Sequence, residues 1–250
     1  MKCVKKCSLS FSCLFLLATF VVVQSVDAAP VSFSVTPLFD DGLGGGIPES
    51  SVLNDNIVAA VNAGQAADRT VNGVLFAGTI DGDGGDVPTT GGSVSVTTGP
   101  ITIAYETGYS DRVFPNALPS GDFRELLRSN ATSAGDGTTE MTISGLTIGS
   151  DYRAQFLMST DNGSSRSQKI VSGVDESAEF TTGTGGTFSV LANFTADSVT
   201  QAFSLASTMG QRSTMASISL AEFGAPVPEP TSLALLGMVG VLGLGARRRI

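Results

Sequence analysis

Histidine and tryptophan are absent from the whole chain, and its cysteines are confined to Cys3, Cys7 and Cys13. The missing histidine excludes a Ser-His-Asp triad, and without cysteine further along there is no zinc site of ordinary ligands. A chain that has lost its first 28 residues keeps no cysteine, so disulfides and thiol chemistry are excluded from it. Missing tryptophan removes the strongest aromatic platform for a sugar ring. Lysine is nearly absent too: between the two ends of the chain only Lys169 remains. Ser-Lys chemistry would have to use it, and its neighbours Ser167 and Gln168 form no known motif.

What is present begins at the ends. Lys2, Lys5 and Lys6 make a basic start, an apolar stretch runs from Leu9 to Val23, and Ser25-Val26-Asp27-Ala28-Ala29-Pro30 closes it. This order of basic, apolar and small residues is that of a secretory signal spanning 1–28. Val26 and Ala28 suit the −3 and −1 positions, so cleavage is expected after Ala28. Cleavage after Ala29 would place Asp27 and Pro30 at unsuitable positions. A retained N-terminal anchor is the competing reading. A lipoprotein is disfavoured because Ser10-Phe11-Ser12 before Cys13 is not a lipobox.

The other end reads Val227-Pro228-Glu229-Pro230, then an apolar run from Leu233 to Ala246, then Arg247-Arg248-Arg249. A basic cluster after an apolar helix stays in the cytoplasm. The run is shorter than the ~20 residues of a comfortable membrane span. Ala234, Gly237, Gly240, Gly243 and Gly245 make it a weak permanent anchor, though Gly237 and Gly240 could pack against another helix. An ordinary C-terminal anchor is the alternative. Motif, helix and arginines in this order resemble the PEP-CTERM sorting signal over 225–250. The resemblance implies export by the Sec machinery and transient insertion in the inner membrane. It further implies recognition and cleavage of the tail by exosortase, a membrane thiol transpeptidase, and residence at the cell surface or in an extracellular polysaccharide matrix.

Removing both ends leaves 8 of the 14 basic and 21 of the 23 acidic residues, a net charge of 8 − 21 = −13. Such a surface repels nucleic acid and suits solubility outside a cell and cation binding. Residues 29–224 are expected to form one all-β domain. Short alternating runs recur between Gly, Ser, Thr, Asn and Asp. Phe188, Val190, Ala192 and Phe194 share one face, as do Val199, Phe203 and Leu205. Tyr152, Ala154, Phe156 and Met158 alternate with Arg153, Gln155 and Leu157. Met141 and Ile143, Ile101 and Ile103, and Ala216, Ile218 and Leu220 repeat the pattern. Period two with polar partners predicts strands with one buried face, and their number predicts an antiparallel β-sandwich or jelly roll. One segment, Asp122 to Asn130, predicts a two-turn helix across the sandwich, opened by a capping Asp122 and buried through Phe123, Leu126 and Leu127.

The strings Ala60–Gly64 with Thr70–Phe76, Leu146–Phe156, and Gly186–Phe188 with Phe194–Asp197 and Thr200-Gln201 resemble β-sandwich domains of exported proteins, broadly galactose-binding-like or malectin-like. Such folds often bind carbohydrate, which this resemblance extends weakly to the chain, since fold does not give function.

Three sets of residues are candidates for chemistry. Asp81-Gly82-Asp83-Gly84-Gly85-Asp86 puts oxygen ligands on a glycine-rich turn, as Ca2+ requires. It begins like an EF-type loop but has Gly92 where the bidentate Glu would stand, so an acidic solvated turn is the other reading. Tyr105 and Tyr109, near Arg112, are the best aromatic and cationic set for a glycan; sandwich packing is the alternative, and Tyr152 is expected in the core. Glu106, Asp111, Glu125, Glu140, Asp175, Glu176 and Glu179 are the pool from which a glycan hydrolase or lyase would draw its carboxylates. With so little catalytic side-chain variety, a non-catalytic protein is the preferred expectation. Calorimetric titration of the processed protein with Ca2+ is expected to release heat that Asp81→Ala and Asp83→Ala abolish; a silent wild type ends the Ca2+ reading.

Overall fold

The computed structural model describes residues 29–38, 47–64, 67–78, 94–105, 121–128, 130–133, 138–159, 166–182, 186–208 and 212–223. Two large sheets face each other. The first runs β1 (Ser32–Leu38), β13 (Thr187–Thr195), β9 (Asp151–Met158), β16 (Ser217–Phe223), β2 (Ile57–Asn62), β4 (Val74–Gly78) and β3 (Arg69–Val71). The second runs β11 (Asp175–Glu176), β10 (Arg166–Ser172), β14 (Thr200–Ser207), β8 (Thr139–Ser144), β6 (Ile101–Tyr105) and β5 (Val94–Thr98), with β12 (Phe180–Thr182) also on β10. A two-residue pair, β7 (Ala131–Thr132) with β15 (Thr214–Met215), lies apart. This is the expected all-β sandwich. One pairing departs from the antiparallel rule: β2 and β4 run parallel, with Val61 opposite Ala77.

Alternation explains the space between the sheets. Tyr152, Ala154, Phe156 and Met158 of β9, with Val190, Ala192 and Phe194 of β13, meet Ile101, Ile103, Met141, Ile143, Phe203 and Leu205 of the opposite sheet. Phe203 is the hub, with edge-on contacts to Phe156 at 5.2 Å and Phe194 at 5.7 Å between ring centroids. Tyr152 belongs to this core, stacked on Phe194, and its hydroxyl accepts the Thr147 N–H at 3.0 Å. Val199 does not join Phe203 and Leu205. It precedes β14 in a turn and is 56% exposed, because the alternating face begins only where the strand does.

The expectation of one buried face fails for the central strands. On β9, Gln155 and Leu157 are buried as deeply as their neighbours, and on β16 so are Ser217 and Ser219. A second apolar layer covers them from outside. It comprises Ile47, Val52, Val71, Val74, Phe76, Leu157 and Ala216 with Phe123, Leu126 and Leu127 of the helix α1 (Gly121–Arg128). The helix therefore lies on the outer face of one sheet, against β3, and does not cross between sheets. Asp122 is also reassigned. The helix starts at Gly121, at φ +69°, and the Asp122 carboxylate accepts the Thr70 N–H at 3.0 Å and stands 3.5 Å from the Arg69 guanidinium.

Gln155 fastens the outer layer. Its Oε1 accepts the Leu53 N–H at 2.8 Å, and its Nε2 donates to the Ser51 carbonyl at 2.7 Å and to Ser189 Oγ at 2.8 Å. The 3-10 turn Glu49–Ser51 is held in turn by the β3–β4 hairpin. Asn72 and Gly73 make that hairpin with positive φ, 50° and 77°, as the Asn-Gly pair of a tight hairpin does. Asn72 Nδ2 donates to the Val52 carbonyl at 2.8 Å. Phe123→Ala is expected to cost about 3–5 kcal/mol in denaturant unfolding, as a cavity in a real core does. Val174→Ala, at a 96% exposed turn position, is expected to change stability by less than about 0.5 kcal/mol.

Candidate functional site

The register gives the sandwich two unlike ends. At one end the connections are short: Gly99-Pro100, Gly145–Ser150, Gly173-Val174 and Ala196–Val199. At the other end stand the closing residues of β1, β2, β4, β6, β9, β12 and β14 and the first residues of β5, β8, β10, β13 and β16. Segment 79–93 joins β4 to β5 and segment 106–120 joins β6 to α1, and both leave from this second end, since β4 finishes at Gly78 and β6 at Tyr105. Both candidate sets therefore belong to connections from the same end. Tyr105 is described by its backbone, paired with Thr139 on one side and Val94 on the other. Asp81, Asp83, Asp86, Tyr109 and Arg112 lie outside the described residues, as do Ala28 of the cleavage site and the tail residues Val227, Pro228, Glu229, Pro230, Arg247, Arg248 and Arg249.

Beneath that end the interior turns polar. Gln168 of β10 points the same way as Ile170, into the sandwich, and is fully buried. Its Oε1 accepts the Thr214 N–H at 2.6 Å, and its Nε2 reaches Thr182 Oγ1 at 3.3 Å and Thr214 Oγ1 at 3.4 Å. Thr214 Oγ1 donates onward to the Ser159 carbonyl at 3.2 Å, joining the two sheets. Beside it the hydroxyls of Ser133 and Ser213 meet at 2.7 Å, with Thr139 Oγ1 3.0 Å from Ser213. Ser159 binds the Leu127 carbonyl and the Asn130 side chain, so the helix is secured at this end as well. Sequence reading missed this set: serines, threonines and a glutamine between strands look like solvent-facing positions. The one available signal was Gln168 in phase with Ile170.

The described members of the carboxylate pool fall on three parts of the fold, with Glu179 close after β11 in sequence. Glu125 is on α1, Glu140 on the exposed side of β8, and Asp175 and Glu176 on β11. Lys169 donates to Glu176 Oε2 at 2.7 Å while Ser167 Oγ lies 2.8 Å from Thr181 Oγ1, so the two partners that Ser-Lys chemistry would need are turned to other groups. Among the described residues no three Asp, Glu, Cys or His side chains gather as a metal site, and no helix there is long and apolar enough to cross a membrane. Gln168→Ala is expected to cost about 2–3 kcal/mol, because it strands the buried Thr214 N–H. Lys169→Ala, which removes a half-exposed ion pair, is expected to cost less than about 1 kcal/mol, both variants being measured by thermal melt.

Comparison with known proteins bears mainly on the tail. No curated protein matches the chain. Among solved structures, the crystal structure of Bacteroides uniformis β-glucuronidase aligns over 66% of this chain at 11% identity and a TM-score of 0.43. The chain spans 18% of the length of that enzyme. A structure from work on the promiscuous specificity of carbohydrate-binding modules of the β-sandwich superfamily aligns over 79% of this chain and 99% of its own, at 12% identity and a TM-score of 0.15. Residues 226–249 match the PEP-CTERM protein-sorting motif, so the chain carries the C-terminal sorting signal of exported proteins that exosortase recognises.

Proposed function

We propose that this protein is a non-catalytic surface or matrix component, released from its tail by exosortase and gripping extracellular polysaccharide through the long-connection end of its sandwich. The observation that carries the reading is the PEP-CTERM motif at 226–249, which follows the last strand of the core by two residues, β16 closing at Phe223. The direction of the strands locates the two ends of the core. β16 ends opposite Asp151, the first residue of β9, so the chain leaves the core at the short-turn end. Ala29 stands at that same end, where its N–H meets Asp197 between β13 and β14. Both ends of the described core thus stand at the short-turn end, opposite the end where β4 and β6 finish.

The absence of histidine and cysteine from residues 29–224 favours binding over catalysis. The galactose-binding-like or malectin-like resemblance belongs to the same proposal. Acidic loops with tyrosine and arginine suit a hydroxyl-rich ligand, with or without Ca2+ as a bridge. Two measurements test it. The intact mass of the protein released by its host is expected to correspond to about residues 29–230, and retention of Leu233–Ile250 would make the tail a plain anchor. On a glycan array the wild type is expected to bind at least one polysaccharide and Tyr109→Ala to lose most of that signal, whereas a blank wild-type array rejects the glycan ligand.

A further inference from the structure

Three residues lead into β1, and each of their backbone donors has a defined fate. The Ala29 nitrogen lies 2.9 Å from Asp197 Oδ2, Pro30 has no N–H, and the Val31 nitrogen lies 2.8 Å from Asp175 Oδ2. Val31 is buried in the main core, while Ala29 and Asp197 are half-buried. Pro30 also restricts Ala29 to extended backbone, which fixes the direction of its nitrogen.

Ala29 is the residue that signal cleavage after Ala28 would make the first of the mature chain. We propose that Asp197 is the receptor for the α-amine which that cleavage creates. The inference rests on the secretory reading of residues 1–28 and reaches the same nitrogen by a separate route, the geometry around Asp197. Before the cut, the nitrogen is an amide with one N–H to donate. Hydrolysis of the Ala28–Ala29 bond by water leaves a carboxylate on Ala28 and an amine on Ala29, which takes up a proton and is cationic at neutral pH. The same contact becomes a charge-assisted hydrogen bond. Capture of a chain terminus by a dedicated acceptor is an established mode of recognition. The cut also removes Asp27, a second carboxylate two residues from the site. Cleavage thus adds a cation beside Asp197, and the tie holds β1, the edge strand of its sheet, onto β13.

The test uses the full gene in its host, with four versions of the protein purified after export: wild type, Asp197→Asn, a Gly-Ser insertion after Ala28, and both changes together. N-terminal sequencing of the wild type is expected to begin at Ala29; a start at any other residue, or a retained signal, overturns the proposal by removing its ligand. Each single change is expected to lower Tm by about 2–4 °C, the scale of one exposed-to-half-buried ion pair in a protein of this size. The double change is expected to fall no further than either single one, since both delete the same contact. Additive losses, or an insertion that leaves Tm unchanged, overturn it. Should Asp197→Asn fail to be exported, the insertion alone decides by the same criterion.

Discussion

The burial of β9 on both faces sets the terms for the rest of the structure. A strand in the middle of a two-layer sandwich has only one apolar side to supply, but β9 places Tyr152, Ala154, Phe156 and Met158 inward and Gln155 and Leu157 under a second layer. Any polar group carried there must find a partner or cost its full desolvation. Gln155 meets that requirement through three hydrogen bonds, and in doing so fixes the 3-10 turn at Glu49–Ser51 over the sheet. The hairpin at Asn72-Gly73 and the helix then close around that turn. One satisfied amide organises an entire outer layer.

The same rule operates at the long-connection end with different residues. Gln168, Thr214, Thr182 and Ser159 bond one another where an apolar core would otherwise meet solvent. Polar side chains of this kind specify geometry more sharply than packing alone does, because a half-made network is worse than none. The network gives this end of the sandwich a fixed polar floor tied to both sheets.

Much of the fold was legible from alternation. Met141 with Ile143, Ile101 with Ile103, and Val190 with Ala192 and Phe194 lie in the core as period two requires. The helix was legible from Phe123, Leu126 and Leu127, which are all fully buried. What alternation could not convey is how many layers the chain builds. Ser217 and Ser219 read as outward positions and are buried because segments distant in sequence return over that face of the sheet, a long-range event with no local signal. Val199 erred in the opposite sense, as an apolar residue in phase with a strand that had not yet begun. Of the candidate sites, the tail was legible because it is a linear motif, and the backbone of Tyr105 closes β6. Asp197 escaped notice, and Asp175 was read only as a member of the carboxylate pool, because their partners are backbone nitrogens 168 and 144 residues away.

The edges of the two sheets carry a further consequence. β1 bears Pro37 on an open flank, β3 has three residues and lies beneath the helix, and β11 has two. Proline, brevity and cover are the devices by which sheets avoid adding strands from a neighbouring molecule. Among the described residues, the five-residue β5 pairs on one side, with β6. Blunted edges keep one folded copy from recruiting the next by strand addition, so the fold itself resists growing into fibres.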